Sequence, residues 1–192
     1  PVNDWYNMPV TPVRDQEGRP VTARIELAGQ AVKVLIWKVQ VGRVPLYLLD
    51  TDVPENRPEH RAITRRLYDG DRAIRIQQEI LLGIGGIRAL VALGVEPSVV
   101  HMNEGHSAFL AIERQRLIKE KYNLSRGESW ETAWATQVFT THTPVPAGNE
   151  RFDPGLVQHF VGPYLKAIDL SWEQFLSFGR ENPSNAQEEF CL

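Results

Sequence analysis

From Val21 to Asp50 the apolar positions fall into three short runs rich in β-branched and aliphatic side chains: VTARIEL, AVKVLIWKVQ and VPLYLLD. Ala28-Gly29-Gln30 and Gly42-Arg43 separate them with turn residues, so the pattern predicts a β-meander within residues 1–50. Pro54 and Pro58 break the chain, and from Glu59 the apolar period becomes helical. Ile74, Ile80, Leu81, Ile84, Ile87, Leu90 and Val91 predict one long helix over about 71–93, ended by Gly94. A short strand in VEPSVVHM follows, then an amphipathic helix over about 107–122 and a further helix around Trp130. A second strand, TQVFTTH, leads to the turn-rich PVPAGNERFDP and to helices from about Pro154 onward. Helices of this length between strands connect parallel neighbours. The predicted fold is therefore α/β, with a Rossmann-like parallel sheet over 51–192 and the meander packed on or beside it. No internal repeat or linker is evident. Ser184 and Gln187 have capping-box spacing and predict a last helix over NAQEEFCL. That helix would stop on apolar residues with no closing glycine or base, and the chain starts at Pro1, so the expectation is a segment of a longer polypeptide, a single partial domain.

Composition narrows the function. The chain has 192 residues, 42% of them hydrophobic and 23% charged, which is enough apolar material for a core. A net charge of -3 provides no basic stripe for nucleic acid or an anionic membrane. One cysteine, Cys191, forms no internal disulfide and fits a reducing, cytoplasmic setting. No apolar run approaches the roughly 20 residues of a bilayer span, and PVNDWYNMPV has no signal-peptide character.

In open α/β sheets ligands gather at the carboxyl ends of strands. Two polar loops stand there: His101-Met102-Asn103-Glu104-Gly105-His106 and the run from Thr140 to Glu150, stiffened by Pro144, Pro146 and Gly148. Hydroxyls, amides, imidazoles and isolated carboxylates suit a sugar better than a metal. His101 and His106 are five residues apart across a strand-to-helix turn, a poor geometry for zinc. Gly83-Ile84-Gly85-Gly86 lies inside a helical pattern, where small residues serve close packing rather than dinucleotide binding. Tyr68-Asp69-Gly70-Asp71 reads as a turn and helix N-cap. Trp130, Trp134 and Trp172, at helical spacing, are expected in the core, and Cys191 in a core helix.

Taken in order, VPLYLLDTDVPENRPEHRAITRRLYDGDRAIRIQQEILLGIGGIRAL, VVHMNEGHSAFLAIER and VFTTHTPVPAGNERF resemble the α-glucan (glycogen/maltodextrin) phosphorylases of bacteria and archaea, and the resemblance extends over most of the chain. It implies a two-domain GT-B hexosyltransferase that uses pyridoxal phosphate and inorganic phosphate to release α-D-glucose 1-phosphate from the non-reducing ends of α-1,4-glucans, with this chain in its N-terminal domain. A homo-oligomeric parent enzyme is the matching expectation. His142, in THTPVP, matches the family histidine whose ring bonds a sugar hydroxyl and whose carbonyl lies near the anomeric carbon. Asn103, Glu104 and His106 match the N-D/E-x-H segment beside that pocket, with Glu104 where other members carry aspartate. Asp71 matches an acidic position on the loop that gates the pocket in some relatives, and Thr143 and Glu150 would complete the sugar-side wall. The resemblance puts the Schiff-base lysine and the groups that hold the substrate phosphate in a C-terminal domain beyond this chain, so no cofactor residue is expected here and the chain alone is expected to be inactive.

Two other functions fit the same residues less well. A GT-B glycogen or starch synthase-like transferase also has a histidine loop after a strand but would use a nucleotide sugar without phosphate or pyridoxal phosphate. A non-catalytic glucan-binding module would need the tryptophans on the surface as a stacking platform.

Overall fold

The computed structural model describes residues 7–143 and 149–192, so the predicted stiffening by Pro144, Pro146 and Gly148 lies outside the described residues. The first part is the expected meander. Strands β1 (Thr11–Pro12), β2 (Thr22–Leu27), β3 (Gln30–Val41) and β4 (Val44–Asp50) form one antiparallel sheet centred on β3. Ala28 and Gly29 both have positive φ, 50° and 76°, which is the backbone of a tight primed turn and sets the register Leu27↔Gln30. Ile25 pairs with Val32 and Ala23 with Val34, so alternate residues of both strands present one apolar face.

Helices cover that face. After α1 (Pro58–Arg61) come α2 (Arg72–Ile80), a π turn at Leu81–Gly85, and α3 (Gly86–Ala92). The long helix predicted over 71–93 is thus continuous in path but widened at its middle by one π turn. Asp71 caps α2 as expected, its carboxylate accepting from the backbone N–H groups of Ala73 and Ile74 at 2.7 and 3.3 Å. Ile76, Ile80, Leu81 and Ile84 pack under Ile25, Val34 and Ile36 in one buried cluster. Gly83 meets the start of a neighbouring helix, since a Cβ there would lie 2.7 Å from the Leu110 backbone nitrogen. Close packing accounts for that glycine, as its helical context suggested.

Strand β5 (Val100–Asn103) leads through a 3-10 turn, Gly105–Ser107, into α4 (Leu110–Tyr122), then α5 (Arg126–Ala135) and β6 (Gln137–Thr140). Strands β5 and β6 pair in parallel from Val100↔Gln137 to Asn103↔Thr140, the expected strand-helix-strand unit. Ser125 and Glu128 form a full capping box at the start of α5. Glu113, fully buried on α4, joins Arg88 of α3 at 2.8 and 3.0 Å to Arg116 at 2.5 Å, while Arg88 also donates to the Arg24 carbonyl of β2 at 2.9 Å. This ion cluster ties the parallel unit to the meander.

The remaining elements are β7 (Arg151–Phe152), α6 (Pro154–Leu165), a 3-10 turn at Lys166–Ile168, α7 (Trp172–Phe178) and β8 (Phe190–Cys191). Tyr164 of α6 bonds to Glu26 on β2 twice, its hydroxyl donating to the carbonyl at 2.5 Å and accepting from the N–H at 2.8 Å. The helix expected over NAQEEFCL is not formed. Asn182 and Asn185 side chains instead take the N–H groups of Ser184 and Gln187 at 3.1 Å each, and Glu188 takes those of Glu181 and Asn182. These local bonds compete with helix nucleation. Phe190 then buries its ring against Phe175, 4.7 Å between centroids, in a strand antiparallel to β7. Cys191 accordingly lies half-buried in a strand, not in a helix. Of the three tryptophans expected in the core, Trp172 packs against it, but Trp134 is 69% exposed and Trp130 stacks on exposed Phe178 at 5.1 Å. Among the described residues the parallel sheet has two strands, and the meander forms its own sheet.

Candidate functional site

The two polar loops meet at the carboxyl ends of β5 and β6. The last ladder pair is Asn103↔Thr140, and the Glu104 N–H extends it by donating to the Thr140 carbonyl at 2.8 Å. Glu104 then turns the chain with φ 59° and ψ -179°, a conformation almost reserved for glycine. Its side chain folds back across β6. One carboxylate oxygen, Oε1, accepts from the His142 N–H at 2.5 Å and from the N–H and hydroxyl of Thr143 at 3.1 and 3.2 Å. The other, Oε2, accepts from the Thr141 hydroxyl at 3.0 Å. The His142 amide above all, with the Thr141 and Thr143 bonds behind it, holds the Glu104 carboxyl below the usual carboxylate range against the opposing pull of desolvation.

His142 is exposed, and its Nε2 lies 2.9 Å from Asn103 Oδ1. An amide oxygen only accepts, so in this amide orientation Nε2 carries the ring proton and Nδ1 keeps its lone pair. His101 points elsewhere along the same strands, bonding Thr140 Oγ1 at 2.6 Å.

A second cluster adjoins the first through His106. Arg75, on the buried face of α2, donates to His106 Nδ1 at 2.9 Å, to Glu79 at 2.5 Å and to Glu150 at 3.0 Å. Arginine only donates, so in this closer contact His106 accepts at Nδ1, with Glu79 Oε1 3.4 Å from the same atom, and carries its proton on Nε2. Arg72 completes the grip on Glu150 at 2.6 Å. Burial pushes the Glu150 carboxyl up, but the hydrogen bonds from Arg72 and Arg75 outweigh it and hold it below its ordinary value. Glu79 is 1% exposed, with Oε2 unbonded, and there burial prevails over Arg75, so its carboxyl is raised. The Tyr68 ring lies on the Arg75 guanidinium at 4.9 Å and beside His106 at 5.5 Å. These groups border an open pocket of about 490 Å³ between the β4 end, the Ile63–Tyr68 segment and α2. Gly105 seats the connecting turn, because a Cβ there would lie 2.7 Å from the Leu192 carbonyl carbon.

The structure thus brings together Asn103, Glu104, His142 and Thr143 in one cluster, and His106 and Glu150 in the adjoining one. Asp71 stands apart in its chemistry, its carboxylate committed to the α2 N-terminus. Sequence reading passed over Arg75 and Glu79 and took Tyr68 only as part of a turn. The available signal was the pair Arg75 and Glu79, charged residues on the same helix face as Ile76 and Ile80. Among the described residues no group of His, Cys, Asp and Glu side chains is arranged to hold a metal, and no helix is long and apolar enough to cross a membrane. The chain's five lysines are Lys33, Lys38, Lys119, Lys121 and Lys166. Lys33, Lys119 and Lys121 pair with Glu55, Asp169 and Glu96, Lys38 lies in the meander and Lys166 in the turn after α6. None adjoins His142, so these residues do not fit a pyridoxal phosphate imine.

The exposed His142 imidazole, Asn103, Glu104 and Thr143 thus stand together at the ends of two parallel strands, the position at which α/β proteins gather ligands. The chain is 42% identical to the maltodextrin phosphorylase of Thermococcus litoralis over 174 residues, 91% of this chain and 21% of that protein. Its identity to the glycogen phosphorylase of Mycobacterium tuberculosis is 47% over 167 residues, 84% of this chain and 19% of that protein. With the glycogen phosphorylase of Aquifex aeolicus it shares 37% over 184 residues, 95% of this chain and 26% of that protein. No protein-family profile matches the chain. The chain belongs to the glycogen/maltodextrin phosphorylase family, and it spans about a fifth to a quarter of the length of these relatives.

Proposed function

We propose that this chain supplies the glucosyl side of an α-glucan phosphorylase site, in the N-terminal domain of a GT-B enzyme that releases α-D-glucose 1-phosphate from α-1,4-glucan ends with inorganic phosphate. The observation that carries the reading is the exposed His142, aligned by Asn103 and hung by its backbone from Glu104 at the ends of two parallel strands. In this reading Nδ1 of His142 accepts a sugar hydroxyl, and the fixed His142 carbonyl faces the anomeric carbon, where its dipole stabilises developing positive charge. Arg75 and Arg72 hold Glu150 as a fixed acceptor on the flank, and His106 presents an Nε2–H donor.

Pyridoxal phosphate would supply proton relay through its phosphate, and this reading assigns the groups that hold it to the part of the enzyme outside this chain, so the chain by itself is expected to be inactive. The test uses the product of the full open reading frame that encodes the chain. With maltoheptaose, inorganic phosphate and pyridoxal phosphate it forms glucose 1-phosphate, and H142A abolishes this. Glucan elongation from a nucleotide sugar without phosphate would overturn the reading. Glucose 1-phosphate formation by the 192-residue chain alone would overturn the division of labour.

A further inference from the structure

We propose that Glu104 is a positioning residue, not a sugar ligand: its carboxylate anchors Thr141, His142 and Thr143 and thereby sets where the His142 carbonyl and ring stand. The inference rests on the phosphorylase reading only for what the loop holds. Its warrant is a count of acceptors. Four donors from three consecutive residues converge on the two oxygens, three of them on Oε1, and the side chain is 8% exposed. The carboxylate is thereby committed to the loop rather than to a ligand. Two of the donors are backbone N–H groups just past the end of β6, where the ladder no longer supplies partners.

The backbone gives an independent reason. Glu104 holds φ 59° and ψ -179°, where glycine would sit without strain. A side chain in so unfavourable a conformation persists when its own bonds over-determine it, and this side chain has four. Strain and anchoring thus occur at one residue, at the point where β5 must turn away while β6 continues toward His142.

The test reads the anchor directly. In the unmodified chain the amide protons of His142 and Thr143 resonate downfield and move together on acidification, following protonation of one carboxyl; in E104Q that titration is absent. E104Q keeps an oxygen for the His142 amide, so its loop stays in place. E104A keeps no acceptor, and hydrogen exchange at His142 and Thr143 rises about tenfold or more while the β3 ladder is unchanged. E104G loses the same bonds but relieves the backbone, so it unfolds at a higher temperature than E104A, the reverse of the usual order for glycine and alanine. In phosphorolysis by the product of the full reading frame, E104A lowers kcat by about a hundredfold with a much smaller change in KM, and E104Q restores most of it.

Amides that ignore pH, or exchange unaltered in E104A, would overturn the proposal. E104A melting above E104G would overturn its strain argument. The amide readouts need neither glucan nor activity. An intact amide signature without any phosphorolysis would therefore refute the proposed function and leave the anchor standing.

Discussion

Gly83 and Gly86 lie three residues apart in one continuous helical run, yet the structure assigns alanine opposite effects at the two positions. At Gly83, inside the π turn, a Cβ would lie 2.7 Å from Leu110 N, 3.0 Å from Ser107 O and 3.1 Å from Phe109 C. All three are backbone atoms at the entry to α4, so no side chain can rotate aside. The intrinsic helix preference for alanine contributes about 1 kcal/mol in favour of the substitution. Forcing a methyl into a packed site costs about 1–3 kcal/mol or more, and rigid backbone on the opposing side puts this site at the upper end. The net expectation for G83A is a loss of about 2 kcal/mol, or roughly 4–8 °C in Tm for a chain of this size. At Gly86, the first residue of α3, nothing lies within 4 Å of the added Cβ and φ is -59°. G86A is therefore expected to gain about 0.5–1 kcal/mol and to raise Tm by roughly 2–3 °C. Thermal unfolding followed by far-UV circular dichroism, with urea titration as a second measure, checks both. G83A melting at or above the unmodified chain, or both variants shifting in the same direction, would refute the packing argument.

Three further perturbations follow from named contacts. D71A removes the acceptor for two N–H groups at the start of α2 and should cost about 1 kcal/mol in urea unfolding. E113A leaves Arg88 and Arg116 without their shared buried carboxylate and should cost about 3 kcal/mol, with E113Q intermediate. Burial pushes the Tyr164 hydroxyl from 10.0 up to about 12, so the unfolded chain ionises first. That contribution is complete below pH 10.0 and is lost as the pH rises toward about 12, a fall of about 3 kcal/mol that Y164F should not show. At the acid end Glu150 has a lowered carboxyl, so its contribution is present above its unfolded value of 4.5 and is lost as the pH falls further. An acid limb unchanged in E150Q would contradict the Arg72–Arg75 grip.

Periodicity and turn chemistry were enough for the elements that depend on their own neighbours. The meander follows from alternating β-branched residues between Ala28-Gly29 and Gly42-Arg43, and the start of α2 from Asp71. The strand-helix-strand order around VVHMN and QVFT follows in the same way, and with it the place of the site, since parallel strands gather polar loops at one end. The motifs HMNEGH and THTPVP pointed to His142 and its neighbours through resemblance. Other features depend on partners distant in sequence. Capping-box spacing at Ser184 and Gln187 suggested a helix, but Phe190 gains more by pairing beside Phe152 and stacking on Phe175, so a strand forms there. Helical spacing put Trp134 in the core, but it lies at the rim of an open pocket beside Met102 and Phe139 and is 69% exposed.

Arg75 shows the division most clearly. In the sequence it is one arginine in RAIRIQQEI; in the fold it reaches Glu79 four residues on, His106 thirty-one residues on and Glu150 seventy-five residues on. Glu104 likewise reads from the sequence only as a residue beside the sugar pocket, and its approach to Thr141, His142 and Thr143 makes it an anchor. Sequence by itself determined the meander, the start of α2, the strand-helix-strand unit and which loops carry polar chemistry, because those follow from local backbone preference and the period of apolar side chains. Tertiary structure decided which charges share a guanidinium and which carboxylates are committed to backbone donors, because those depend on distances of a few ångströms between residues the chain holds far apart.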